Sequence, residues 1–334
     1  MGLAVLAALM LAVLAAACAP QATQLVMRPS ANKSASRPAT GSTGSVSARP
    51  VPIAIGTAGT FRVGEHHLVI TEPAKTGPRT LIITMWYPVA ARGAGSPPAT
   101  GPFPLLLFAP GFMQCAEPYS GLLTAWAGAG FAVAAVEFPH SDCLVGAAAT
   151  ESDMVNQPRD LSYVLSRLLR LSSEPDDQLS GLLDPHEIAA AGHSDGGDTV
   201  AALGANTCCA DHRFAAVAVL SGAEWPAMPG RYFAAGAPPM LFVQGSADVI
   251  NPPWTSVQLY DADTGHTRYY LDLFGADHWI PYQETSKVER LVVRVTLAFF
   301  DRYVLGQASA AAAMTRDGNV SGVAALVANG RPVP

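Results

Sequence analysis

The chain has 334 residues, half of them hydrophobic and 14% charged, with 26 acidic against 20 basic side chains for a formal net charge of −6. So much apolar side chain with so little charge excludes a disordered, collagen-like or coiled-coil protein and allows a sizeable core. No cluster of Lys and Arg occurs, so there is no electrostatic footprint for DNA or RNA, and nucleic acid is not an expected partner.

No charged side chain precedes Arg28, and residues 2–17 run through Leu, Ala, Val and Met to Ala15-Ala16-Ala17-Cys18. This reads as an export signal over residues 1–18. Small residues directly before a cysteine resemble the bacterial lipoprotein signal, which would make Cys18 the lipidated first residue and anchor the protein to a membrane surface. Two features depart from that pattern: Ala15 stands where a Leu is usual, and the basic n-region is missing. A cleaved signal with a chance cysteine, or an uncleaved anchor, are the alternatives. Residues 19–50, rich in Ser, Ala, Thr, Pro and Gly, read as a flexible tether. An exported protein is therefore expected, secreted or held at the cell surface.

From there the pattern alternates. Leu81–Tyr87, Leu105–Phe108, Phe131–Val136, Ile188–Ala191, Ala216–Leu220, Met240–Val243 and Arg268–Leu273 are strand-length apolar runs bounded by Gly, Pro or polar residues. Tyr119–Ala129, Gln157–Leu171, Gly197–Ala205, Trp254–Asp261 and Val288–Val304 carry apolar residues at helical spacing. Such alternation predicts an α/β domain over residues 51–305, with a mostly parallel central sheet covered by helices on both faces. The Ala-, Val- and Gly-rich extension 306–334 is compatible with packing on the domain or hanging loose.

Beyond Cys18 the cysteines are Cys115, Cys143, Cys208 and Cys209, an even number that suits an oxidising compartment. Cys115 and Cys143 each follow a predicted strand at the same end of a parallel sheet, so a bridge between those loops is geometrically reasonable. Adjacent Cys208 and Cys209 fit a vicinal disulfide, other partners or reduced buried thiols. No Cys or His spacing suggests a metal site.

Three stretches carry chemistry. Gly192-His193-Ser194-Asp195-Gly196-Gly197 follows an apolar strand and precedes a helix, the context of a nucleophile elbow, with Ser194 projecting from a turn too tight for side chains at the flanking glycines. A serine hydroxyl needs a base and the base an orienting acid. Asp248, in the loop after Met240–Val243 and ahead of Pro252 and Pro253, is the candidate acid, and His278, in Gly275-Ala-Asp277-His278-Trp279, the candidate base. They follow in the chain order Ser, Asp, His. Asp277 is too close in sequence to reach the His278 ring, Asp195 points elsewhere, and His193, His140, His66 and His67 rank below His278. The oxyanion of an acyl-transfer intermediate needs two amides; Asp195 would supply one, and Phe112, after Leu105–Ala109 and the Pro110-Gly111 turn, the other.

These stretches make the region from Leu81 to Val304 resemble an α/β-hydrolase, and more narrowly the dienelactone-hydrolase-like, platelet-activating-factor acetylhydrolase and bacterial polyester-hydrolase (cutinase-like) group. The residues carrying the resemblance are Ala109-Pro110-Gly111-Phe112, Asn156-Gln157-Pro158-Arg159-Asp160, Gly192–Gly197, Gly245-Ser246-Ala247-Asp248 and Ala276-Asp277-His278. It implies a cofactor-independent serine esterase without a metal, acting on small or polymeric carboxylic esters. In polyester hydrolases a tryptophan after the strand following the elbow lines the cleft, and Trp225 stands in a matching place, though it reads equally as a packing aromatic. Dienelactone hydrolases carry a cysteine where Ser194 stands, and polyester hydrolases commonly a methionine in place of Asp195. With Phe112, Met113, Trp225, Trp254 and Trp279 in the cleft loops, apolar acyl or aromatic esters are the expected substrates, and a monomer the expected state. A peptidase or acyltransferase on the same fold, or an inactive exported binding protein, are the alternatives.

Overall fold

The computed structural model describes residues 61–74, 77–90 and 98–332; the expected signal with Cys18 and the tether lie outside them. In chain order the strands are β1 (Arg62–Ala74), β2 (Gly77–Val89), β3 (Phe103–Ala109), β4 (Ala132–Glu137), β5 (Leu183–His193), β6 (Ala216–Leu220), β7 (Met240–Gly245), β8 (Arg268–Leu273), β9 (Ala324–Ala328) and β10 (Arg331–Pro332). The helices are α1 (Ser120–Gly128), α2 (Gln157–Ser173), α3 (Asp195–Ala205), α4 (Pro253–Ala262), α5 (Ile280–Gln283), α6 (Lys287–Tyr303) and α7 (Ala310–Gly318).

The strands form one sheet in the order β1-β2-β4-β3-β5-β6-β7-β8-β9-β10. From β4 to β8 every neighbouring pair is parallel, and the two strands at each edge join antiparallel. β3, β4, β6 and β7 are buried along their whole length, which is why they read as continuous apolar runs. Alternate side chains serve opposite faces. Leu106, Phe108, Val133, Leu241 and Val243 pack with Trp126 of α1 and with Val295, Phe299 and Phe300 of α6. Leu105, Leu107, Ala134, Met240 and Phe242 pack with α2 through Leu161, Leu165 and Leu168, with α3 through Val200 and Leu203, and with α4 through Leu259. Helices therefore cover both faces. α6, the long closing helix, starts at Ser286, whose hydroxyl accepts the Glu289 N–H at 2.9 Å, a local start signal.

β1 has no strand-length apolar run, only the three residues Leu68-Val69-Ile70. Its residues alternate between exposed and half-buried almost to Ile70, and its position comes from register with β2, Leu68 opposite Ile83 and Ile70 opposite Leu81. The C-terminal extension packs on the domain: Met314 of α7 and Leu326 of β9 are buried in the α6-side core, and β9 pairs with β8. A buried ionic cluster pins the β1–β2 hairpin to α2. The Arg79 guanidinium bonds both Asp153 oxygens at 2.7 Å and both Asp160 oxygens at 2.8 and 2.6 Å, while Arg159 reaches Glu72 at 2.6 Å. Among the described residues two disulfides are formed, Cys115–Cys143 across 28 residues of sequence and a vicinal bond between Cys208 and Cys209.

Candidate active site

Ser194 stands between β5 and α3 with φ 55° and ψ −125°, a region that L side chains rarely adopt. Its amide donates to Leu220 O and its carbonyl accepts from Asp198 N–H, both at 3.0 Å. The flanking glycines are required by space. A Cβ on Gly192 would lie 2.1 Å from Gly196 O, and one on Gly196 would lie 1.9 Å from Ala109 O. The turn brings β5 against the end of β3.

β7 and β8 deliver Asp248 and His278. Asp248 Oδ2 lies 2.7 Å from His278 Nδ1, and both residues are buried. Asp248 Oδ1 accepts the amides of Ile250 and Asn251 at 2.9 Å each, and Oδ2 accepts a further bond from Gln244 Nε2 at 3.1 Å. Burial pushes this carboxyl up, but the hydrogen bond and charge of His278 and then the two amides outweigh it and hold it below the ordinary aspartate range. His278 Nε2 is buried and unbonded among the described residues.

Supporting groups escape a motif reading. Gln244 also bonds Asn251 O at 3.0 Å and accepts the Ser256 hydroxyl at 2.6 Å, while Asn251 Nδ2 donates to Ser221 O at 2.6 Å. These bonds tie the Asp248 loop to α4 and to the end of β6. Each comes from a side chain that looks unremarkable in sequence, and only apposition in space reveals it.

The loop after β3 is clamped on both sides. The Gly111 amide donates to the Tyr119 hydroxyl at 3.3 Å, and the Met113 amide, at a residue with φ 55°, donates to Ser141 O at 2.7 Å. Phe112 N–H, between them, makes no hydrogen bond among the described residues. Ser141 is held in turn, its hydroxyl accepting from Gln157 Nε2 at 2.9 Å, with Gln157 Oε1 accepting the Thr199 hydroxyl of α3 at 2.5 Å. The Cys115–Cys143 disulfide joins the same two loops.

Asp195 opens α3, where the first amides have no intrahelical acceptor. Its carboxyl oxygen Oδ2 is buried without a partner among the described residues, and burial first, then the charge of Glu151, push the group up to about 7. Trp225 is half-buried, packed with Met154, Ala202 and Met228. Its loop is held by Asp198, whose carboxylate accepts the Ala223 amide. Asp277 does not face the His278 ring: its Oδ1 accepts the amides of Trp279 and Ile280 at 3.0 and 2.9 Å and starts α5. His67 bonds Thr84 on the β1–β2 hairpin, and His140 is exposed. No group of three or more His, Cys, Asp or Glu able to hold a metal occurs among the described residues.

A serine on a strand–turn–helix elbow at the carboxyl ends of a parallel sheet, with a buried carboxylate–histidine pair two and three strands along, is the architecture of an α/β-hydrolase, and the chain is a carboxylic ester hydrolase. It belongs to the PETase family, described as PET hydrolase-like, whose model matches residues 74–311. Among solved structures, the ferulic acid esterase from Streptomyces cinnamoneus superposes with a TM-score of 0.59 at 22% identity, over 76% of this chain and 93% of that one. A likeness at that identity speaks for the fold. No curated protein matches the sequence.

Proposed function

We propose that this esterase works through Ser194 as nucleophile, His278 as general base and Asp248 as the acid that orients it. The observation carrying the reading is the 2.7 Å bond from His278 Nδ1 to a buried Asp248, which leaves Nε2 as the acceptor on the other side of the ring. In the first half-reaction Ser194 Oγ attacks the ester carbonyl while its proton passes to His278 Nε2. The alkoxide leaves with that proton, and the acyl group stays on Oγ. Water then attacks the acyl-enzyme, again giving its proton to His278, and the acid departs as Ser194 is regenerated. The amides of Phe112 and Asp195 hold the oxyanion in both halves. Asp248 stays ionised and stabilises the imidazolium, consistent with its lowered affinity for protons.

The substrate we favour is an ester with an apolar acyl or aromatic part. Met113 and Trp254 are exposed apolar side chains near these loops, and half-buried Phe112 and Trp225 would line the cleft beside them. The two disulfides suit an oxidising compartment, which supports export through residues 1–18, with lipidation at Cys18 as part of the same proposal.

Intact-mass analysis after exposure to a fluorophosphonate tests the reading, because that reagent bonds to a serine with a working base and oxyanion site. One adduct on the protein and none on Ser194→Ala is the expected result. A folded protein that takes no adduct overturns it.

A further inference from the structure

Resting on that triad, we propose that Tyr119 and His193 are positioning residues: a buried hydrogen-bonded chain from the Gly111 amide through Tyr119 and His193 to the main-chain carbonyl of His278 keeps the oxyanion loop and the base loop in register.

The distances define the chain. Tyr119 Oη lies 3.3 Å from Gly111 N and 2.8 Å from His193 Nδ1, and His193 Nε2 lies 2.9 Å from His278 O. Tyr119 and His193 are wholly buried. One proton assignment satisfies every atom. The His278 carbonyl can only accept, so Nε2 carries the hydrogen; a neutral ring then accepts at Nδ1, so the Tyr119 hydroxyl donates there, leaving its oxygen to accept from Gly111 N–H. Burial first, then the neighbouring His278, hold His193 well below the ordinary histidine range, which keeps the ring neutral as this assignment demands.

The elbow does not explain this histidine. Its sharp turn requires Gly192, Ser194 and Gly196, whereas the side chain at 193 is free to vary as far as the turn is concerned. Here its ring centroid lies 4.5 Å from that of His278 and 4.6 Å from that of Tyr282. It therefore grips the base by the backbone while supporting its ring. At the other end, Gly111 immediately precedes Phe112, the proposed oxyanion donor, and a Cβ on Gly111 would lie only 3.1 Å from Ser194 Cβ. Loops that must stay aligned to a fraction of an ångström on either side of the serine are thus tied through one tyrosine and one histidine.

Tyr119→Phe, His193→Phe and the double variant, in the full chain, test the proposal. The readouts are kcat and KM on p-nitrophenyl butyrate, the rate of fluorophosphonate modification of Ser194, and the thermal midpoint. Tyr119→Phe, which removes one oxygen and keeps the ring, should lower kcat and the modification rate about tenfold with KM unchanged, the scale of one lost buried hydrogen bond. His193→Phe should lose at least as much, and the double variant no more than His193→Phe alone, since both interrupt the same chain. Wild-type kcat in Tyr119→Phe, a lowered midpoint with no change in kcat, or single losses that multiply in the double variant would each overturn the relay. If His193→Phe does not fold, Tyr119→Phe decides by itself. A wild-type protein that takes no fluorophosphonate overturns the triad instead, so the two failures are distinguishable.

Discussion

Asp160 and Asp248 are both buried acids facing a basic partner, yet their surroundings differ in kind. Around Asp160 every guanidinium nitrogen aimed at an acid is used, with Arg79 forked onto both Asp153 and Asp160. Even so, burial, with Glu72 adding to it, pushes the Asp160 carboxyl up to about 7 against the pull of Arg79. Around Asp248 the carboxylate is over-supplied with donors and held low, while the histidine it faces keeps one ring nitrogen unbonded. The first cluster is closed at its base, with the Arg79 guanidinium fully engaged, and joins secondary-structure elements, although Glu72 Oε2 at its edge has no partner among the described residues; the second is open at its base and has an atom with which to do chemistry. Removing parts should therefore damage different properties in the two places.

The largest effect belongs at the open cluster. Ser194→Ala should lower ester turnover by on the order of 10⁶-fold and leave the thermal midpoint unchanged; residual turnover near wild type would place the nucleophile elsewhere. Asp248→Asn should cost about 10³ to 10⁴ in kcat, because the amide no longer stabilises the imidazolium, and should again spare the fold, as kinetics beside a thermal melt would register. At the closed cluster the signs reverse. Arg79→Met strands Asp153 and Asp160 without a cation and should cost about 3–5 kcal/mol of stability, read as the denaturant midpoint, with kcat of the folded enzyme preserved. A loss of kcat at full stability would break the contrast between the two regions.

Two smaller effects sharpen it. Replacing Cys115 and Cys143 together with Ser releases a crosslink spanning 28 residues and should cost about 3 kcal/mol. Because the bridge also holds the loop carrying Phe112, kcat should fall as well, unlike in Arg79→Met. The smallest effect concerns pH. Asp195 is pushed up to about 7 by burial and then Glu151, so it is neutral below that pH and charged above it, beside the proposed oxyanion position. Its charge should depress kcat/KM as pH rises through about 7, and Asp195→Asn should lift the alkaline side of the profile several-fold with little change below pH 6. The same sign holds for stability: a raised acid favours the fold below its unfolded pKa and loses that contribution through about 7.

Legibility followed physical locality. Buried parallel strands announced themselves where both of their faces are apolar: Ala216–Leu220, buried along its whole length, stands at the bounds its sequence suggests. Ser194 was legible because a turn that tolerates only glycine on either side leaves a spaced signature. β1 was not, since a strand half-exposed along most of its length needs its partner to define it. Residues 306–332 left packing undecided until β9 paired with β8. The roles of Tyr119, Gln157 and Gln244 were invisible: Tyr119 meets His193 across 74 residues of chain, and Gln157 meets Thr199 across 42.

By itself the sequence determined the alternating α/β architecture, the elbow and the order of its chemically capable residues, because each rests on interactions within a few neighbouring residues or on a repeating apolar period. Only the tertiary structure decided that Gln244 and Asn251 brace the Asp248 loop, that Cys208 bonds to Cys209, and that a buried tyrosine and histidine join the two loops beside the serine. Those outcomes depend on which strand ends the sheet order places side by side, and the distance between strand ends in space is set by packing the whole core.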